Sequence, residues 1–397
     1  MENSKLLPLL WILSSVITLT VASYIVVGSL LFIEYSLVAI IAVAGWLRFS
    51  YKELPTQNTV LGTYLLCIVL LVMLNTARYA SDYAGFLQQN YAAWLQTGFK
   101  LNFTSWFILL VCLPVSLMLW GGYYLSKRAN AGFFFAWWGF AYCLSEAFMQ
   151  LKVELGHVAI YQHHFFAGTI IAMLLFVLSV SGIIKLIKSS AHHQPIAHRK
   201  EYSPKEVNLW TLIFVGGGVV YTITLFTQGG PLPVIIIVGS MVLGIIGWRK
   251  TSARFPLNPY QITPVYLLMM ALFYVHVGEE VLTDFSQSIV ALSGHPWDPQ
   301  EFNFLILFIG PVFWFYAAYS LWKGQPFGNF ILWFMVVGMI LGEPTHMLLF
   351  PVIRMVKEGV DYEYFSGMFT ALFPMIPAII ALKMLLRTHK EQKNNAI

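Results

Sequence analysis

The chain of 397 residues is 58% hydrophobic and 16% aromatic, with only 10% charged residues, a net charge of +5 and a mean hydropathy of +0.71. An ordinary soluble domain carries roughly 25% charged residues, so a water-soluble fold is excluded and an integral membrane protein is implied. The 23 Lys and Arg residues sit in short connections and form no continuous basic face, which argues against a nucleic-acid partner.

Apolar runs near the ~20 residues that cross a bilayer predict an all-α, polytopic transmembrane helix bundle of about twelve spans. They are expected near residues 7–27, 30–47, 58–77, 102–126, 131–150, 164–186, 208–228, 231–248, 261–282, 302–323, 328–349 and 365–387. The first run follows Lys5, as a secretory signal would, but it is longer than an h-region and a second span follows at once. It is therefore expected to be retained as a helix. Cys67, Cys112 and Cys143 all fall inside predicted spans, which leaves neither a disulfide framework nor a CxxC metal site.

One sizeable hydrophilic connection, residues 189–207, reads as a cytoplasmic linker between a first set of six spans (1–188) and a second (208–397). A shift of 197 superimposes Pro114 and Val115 on Pro311 and Val312, Phe133 on Phe330, Leu144 on Leu341 and Glu146 on Glu343. A shift of 199 superimposes Phe166, Gly168 and Ala172 on Phe365, Gly367 and Ala371. These collinear identities point to a divergent internal duplication, and an even number of spans per half makes it two parallel six-span repeats. At the shift of 197, Tyr79, Asp82 and Tyr83 of the first half stand opposite His276, Glu279 and Glu280 of the second. Eighteen of the 23 basic residues, Arg48, Lys127, Lys185, Arg249 and Lys323 among them, fall at the termini or in the loops after even-numbered spans. The opposite side receives only Arg78, Lys100, Lys152, Arg354 and Lys357. The positive-inside rule thus predicts a multi-pass cell-membrane protein with both termini in the cytoplasm.

Ionisable groups in hydrocarbon are costly and mark binding or reaction sites. The strongest signal is His276-Val277-Gly278-Glu279-Glu280 in the predicted ninth span. Positions i, i+3 and i+4 share one helical face, so an imidazole and two carboxylates are expected to converge within one turn. Counting ~1.5 Å per residue from the cytoplasmic end puts His276 about 22 Å deep, in the outer third of the hydrocarbon. Glu343-Pro344-Thr345-His346 in the eleventh span pairs a carboxylate with an imidazole at the same expected depth. Pro344 is expected to kink or open that span where it lines a cavity. His276, Glu279, Glu280, Glu343 and His346 are the candidate metal ligands, since imidazole nitrogen with carboxylate oxygen suits zinc, iron or manganese. Glu279 and Glu280 are also the candidate catalytic groups. Two alternatives stay open: a polar cluster that only fixes packing, and a proton or solute relay without metal.

Smaller signals read as local structure. His157, His163 and His164, beside Lys152 and Glu154, are expected to be interfacial, and His192, His193 and His198 to lie in the solvated linker. Asp284, His295 and Asp298 match a helix end and turn chemistry. The Trp and Tyr residues, such as Trp120, Tyr123, Trp314 and Trp322, match interface belts and bundle packing.

His276-Val-Gly-Glu279-Glu280, with Phe285, Trp297, His346 and the stretch Tyr364-Phe-Ser-Gly367-Met-Phe-Thr370-Ala371, resembles the HXXEE family of small bacterial membrane proteins, named for that motif. The likeness covers roughly residues 270–385, the C-terminal half only. The resemblance marks His276, Glu279, Glu280 and His346 as a site and implies a bacterial inner-membrane location, but it supplies no reaction. This chain departs from the family in being about twice the usual length, with a first half lacking the motif.

The expected function is that of a multi-pass membrane protein with a buried His/Glu site near the extracytoplasmic leaflet. Such a site suits a divalent-metal-dependent enzyme acting on a lipid-like or small-molecule substrate, one glutamate acting as general base. Membrane lipids are the expected surroundings and partners. The alternatives are a secondary transporter using the same carboxylates as a proton or cation site, and a non-catalytic membrane assembly subunit.

Overall fold

The computed structural model of the protein describes residues 28–51, 57–90, 101–161, 168–188 and 201–395, with a few positions between 14 and 25. Every regular element among the described residues is helical, and nine of these helices are long and apolar enough to cross a membrane. The protein is a multi-pass membrane protein. Most of the expected first span, residues 189–200 of the expected linker with His192, His193 and His198, and His163 and His164 lie outside the described residues. The chain forms two compact units, Met1–Pro195 and Ile196–Ile397.

The first unit contains α1 (Leu31–Ser50), α2 (Gln57–Ala80), α3 (Tyr83–Asn90), α4 (Phe103–Ser126), α5 (Asn130–Tyr161) and α6 (Thr169–Lys188). The central helix α5 packs against α1, α4 and α6, and α2 packs against α4 and α6. Lipid offers no hydrogen bonds, so polar side chains here find partners inside the bundle. The buried Tyr64 hydroxyl donates to the Met118 carbonyl at 2.9 Å, and Trp137 Nε1 donates to Ser50 Oγ at 3.0 Å. Arg78, 1% exposed, pairs with the Glu146 carboxylate and donates through Nε to Gln150 Oε1 at 3.0 Å. The outward face of α6 carries Ile170, Met173, Leu174 and Val177, all exposed, as a hydrocarbon-facing surface requires.

The second unit contains α7 (Pro204–Gly229), α8 (Pro231–Thr251), α9 (Pro259–Leu282), α10 (Phe285–Ser293), α11 (Pro299–Trp322), α12 (Pro326–Val337), α13 (Phe350–Glu358) and α14 (Met375–Asn395). At its centre α9 packs against α11 and α14, while α8 packs along α12. The α9 helix starts where Asn258 Oδ1 accepts from the Tyr260 amide at 3.0 Å and Pro259 fills the first helical position, which needs no amide donor. Asp298 caps α11 through the amides of Gln300 and Glu301, at 2.7 and 3.2 Å. Asp284 adopts a left-handed backbone, φ +54°, between α9 and α10.

Two expected spans do not run as continuous helices over their expected lengths. The span at 328–349 runs as α12, widens into a π turn over Gly338–Gly342, breaks at Glu343 and Pro344, and resumes over Thr345–Leu348. The missing Pro344 amide and its ring account for the break. The span at 365–387 starts late: residues 366–374 form turns and α14 begins only at Met375. Gly367 sits at φ +82°, a conformation no continuing helix holds. The spans at 131–150 and 365–387 lie in α5 and α14, which are not among the nine, and the span at 7–27 is mostly outside the described residues, so these do not reach the expected count of twelve.

Candidate metal centre

Three stretches of the second unit build the site. One face of α9 brings His276 and Glu280, buried to 0% and 9% exposure, toward the interior. The break after α12 brings Glu343 and His346, and the turns before α14 bring Ser366, Gly367 and Thr370. His276 Nε2 lies 3.6 Å from Glu280 Oε1 and 2.7 Å from Glu343 Oε2, and His346 Nε2 lies 3.4 Å from the same Glu280 oxygen. Donor atoms of His276, Glu280 and His346 all fall within 4.8 Å of one another. The imidazoles meet edge to face, centroids 4.9 Å apart, and Phe285 and Phe350 flank His346 at 4.9 and 5.2 Å.

Hydrogen bonds on the far side of each ring fix its orientation. His346 Nδ1 lies 2.7 Å from the Ser366 carbonyl; a carbonyl only accepts, so Nδ1 carries a proton and Nε2 is the nitrogen that faces Glu280. His276 Nδ1 lies 3.1 Å from Thr370 Oγ1, whose own hydroxyl donates to Glu279. The Thr370 oxygen therefore accepts from His276, and Nε2 is the His276 nitrogen that faces the cluster. His276 Nε2 and Glu343 Oε2 lie 2.7 Å apart, within ion-pair distance. Two carboxylates and two imidazole Nε2 atoms facing one another in an apolar surround form a group that could hold a metal ion.

Glu279, expected among the ligands, is placed elsewhere. Its carboxylate accepts from the Tyr364 hydroxyl at 2.7 Å, the Phe369 amide at 3.1 Å, and the Thr370 amide at 2.8 Å. The i, i+3, i+4 set is split because consecutive residues point about 100° apart around a helix: Glu280 turns inward and Glu279 toward the turns before α14. Burial, and then the bond to Glu279, push the Tyr364 phenol above its ordinary pKa, which keeps it a donor. Gly367 closes the arrangement, since a Cβ there would lie 2.6 Å from His346 Nδ1 and 2.8 Å from His276 Cε1.

An apolar cavity of about 160 Å³ opens beside the cluster. Ile236, Trp297, Phe302, Trp314, Phe334 and Met339 line its body, and Glu280, Glu343 and His346 line its polar end. The arrangement offers a cation-binding group at the end of a space that suits an apolar molecule.

Of the five expected ligands, four meet, and the turns hold groups that residue spacing alone does not single out. Ser366 and Thr370 read as two more polar residues in an apolar run, although Gly367 between them marks a break in helix. Glu154 of the first unit is buried at 4% exposure, and both its oxygens lack partners. Comparison with family models, with curated proteins and with solved structures finds no match to this chain.

Proposed function

We propose that this protein is a divalent-metal-dependent enzyme of the bacterial cytoplasmic membrane, related to the HXXEE family, with both termini in the cytoplasm. His276, Glu280 and His346 hold the ion, zinc, iron or manganese, as a two-histidine, one-carboxylate set. Glu343, beside His276, is the remaining carboxylate and serves as general base. Glu279 holds the turns that orient His276. The apolar cavity takes the body of a lipid or isoprenoid substrate and presents its polar end to Glu343. When bound, the ion supplies Lewis-acid activation of a water or an oxidant.

One observation carries this reading: both imidazoles have their Nδ1 atoms engaged and turn their Nε2 atoms toward Glu280, at 3.6 and 3.4 Å. Elemental analysis of the detergent-purified chain tests it. Near-stoichiometric divalent metal in the wild type, lost in His346→Ala, is expected; a metal-free wild type removes the proposal.

We also infer a duplication of six spans into two parallel repeats, and paired internal contacts support it. Tyr64 and Tyr266 occupy the same place in α2 and α9, and each donates to a carbonyl of the next long helix, Met118 at 2.9 Å and Trp314 at 2.8 Å. Each of those two helices ends at a left-handed Asp, Asp82 and Asp284. Gly45 abuts Trp137 as Gly247 abuts Trp333, and Gly132 abuts the Leu125 backbone as Gly328 abuts that of Leu321. Repeats of this kind also suit a secondary transporter. Proteoliposomes distinguish the two: metal-independent, Glu280-dependent solute uptake favours transport over catalysis.

A further inference from the structure

The paired contacts set a register between the two units that differs from the sequence shift of 197. Along α2 and α9 the pair Tyr64 and Tyr266 and the pair Asp82 and Asp284 bracket the same interval, so Arg78 stands where Glu280 stands and Leu74 where His276 stands. Tyr79, Asp82 and Tyr83, the earlier counterparts, are displaced from the site. Along α5 and α12 the tryptophan pair Trp137 and Trp333 sets Trp138 opposite Phe334 and Tyr142 opposite Gly338. Past the π turn, which adds one residue to the second unit, Glu146 falls on Glu343 and Met149 on His346.

The two units therefore solve one electrostatic problem differently. In the second, two acids, Glu280 and Glu343, face two imidazoles, and among the described residues neither acid has a Lys or Arg partner. In the first, one acid of that pair is an arginine. Arg78 Nη1 pairs with the Glu146 carboxylate, Nη2 donates to the Glu146 carbonyl at 3.1 Å and Nε donates to Gln150 at 3.0 Å. The space differs in the same sense. A Cβ built on Gly338 meets nothing within 4 Å, and Gly338 lines the cavity. Its counterpart Tyr142 is fully buried, stacked on Trp138 with centroids 5.2 Å apart and planes 3° from parallel, and its hydroxyl donates to the Leu110 carbonyl at 3.1 Å.

We propose that the first unit is a sealed copy of the second, in which the Arg78 guanidinium takes the place of the bound cation and the Tyr142 ring takes the place of the substrate's apolar body. This rests on the metal reading and on the duplication. It deepens both by assigning places: the cation, held by Glu280 and the two imidazoles, faces Glu343 as Arg78 faces Glu146, and the substrate's body passes Gly338, where the first unit accommodates an aromatic ring. The first unit then binds neither metal nor substrate at this place, and the charge of Glu146 is met by Arg78.

Transplanting the first unit's residues into the second tests this in the full-length chain. His276→Leu/Glu280→Arg/His346→Met reproduces Leu74, Arg78 and Met149, and His276→Leu/Glu280→Leu/His346→Met is the uncharged control. The arginine variant is expected to carry no metal, to ignore chelator, and to unfold within about 3 °C of metal-loaded wild type, while the control, with Glu343 left unpaired, unfolds about 10 °C lower. An arginine variant recovered no better than the control, beside a chelator-sensitive wild type, overturns the correspondence and leaves the metal reading standing. A metal-free, chelator-indifferent wild type overturns both. The reciprocal set Leu74→His/Arg78→Glu/Met149→His is expected to double the metal per chain, and an unchanged ratio in folded protein overturns the proposal.

Discussion

At the scale of single residues, the proposed metal site depends on groups outside its ligand set. Thr370 passes the hold of Glu279 on to His276, fixing which imidazole nitrogen is free. Thr370→Val is expected to weaken metal binding about 10–100-fold, as loss of such supporting bonds does elsewhere, with Thr370→Ser close to wild type. Competition against a chromogenic chelator reads this directly, and equal affinities for all three proteins would show that the hydroxyl does not position the ring. Gly367→Ala meets two obstacles, a positive φ of 82° and the two imidazoles under 3 Å from its new methyl. A loss of more than about 1 kcal/mol of stability is expected, beyond the ordinary cost of strain at such a backbone, together with loss of metal. The spacing of His276, Glu280, Glu343 and His346 was legible because a carboxylate or imidazole in an apolar helix stands out. Glu279 stands apart from the other four because i+3 and i+4 lie on opposite flanks of position i, which spacing cannot rank without knowing the packed face. Thr370 and Ser366 were opaque because hydroxyl residues are tolerated throughout transmembrane helices, and their role depends on turns that an apolar run conceals.

At the scale of elements, the extra residue of the π turn Gly338–Gly342 aims everything that follows it. Deleting Ile340 is expected to restore α geometry and rotate Glu343 and His346 about 100° out of the cluster. Metal occupancy then falls to background while the helix content seen by circular dichroism holds; retained occupancy would show that the break at Pro344 re-aims the ligands by itself. Gly338→Tyr imports the first unit's plug. Metal content is expected to be unchanged and accommodation of apolar ligands lost, which fluorescence quenching of the cavity residues Trp297 and Trp314 by a spin-labelled fatty acid would measure. The break of the eleventh span was legible in Pro344, but the late start of α14 was not. The run 365–387 is as apolar as a span, and the demand of Glu279 for the amides of Phe369 and Thr370, with Gly367 at positive φ, accounts for its opening into turns.

At the scale of the whole molecule, class and all-helical architecture follow from composition, since a chain with so few charges has no other solvent than lipid. The number of spans was less legible, because α5 combines aromatic and small residues with Glu146 and reads alike as a span or a buried core helix. Each unit buries its own polar centre, and the two centres should fail independently. Arg78→Met leaves Glu146 buried without its cation and is expected to cost about 3–5 kcal/mol, seen as a lower unfolding temperature, with metal per chain unchanged.

Metal-edge X-ray absorption on the purified full-length chain bears most directly on the central claim. A spectrum showing two imidazole nitrogens and carboxylate oxygen at about 2.0–2.2 Å is expected, with imidazole scattering reduced in His346→Ala. A protein without an absorption edge, or a metal lacking histidine ligation, would contradict it.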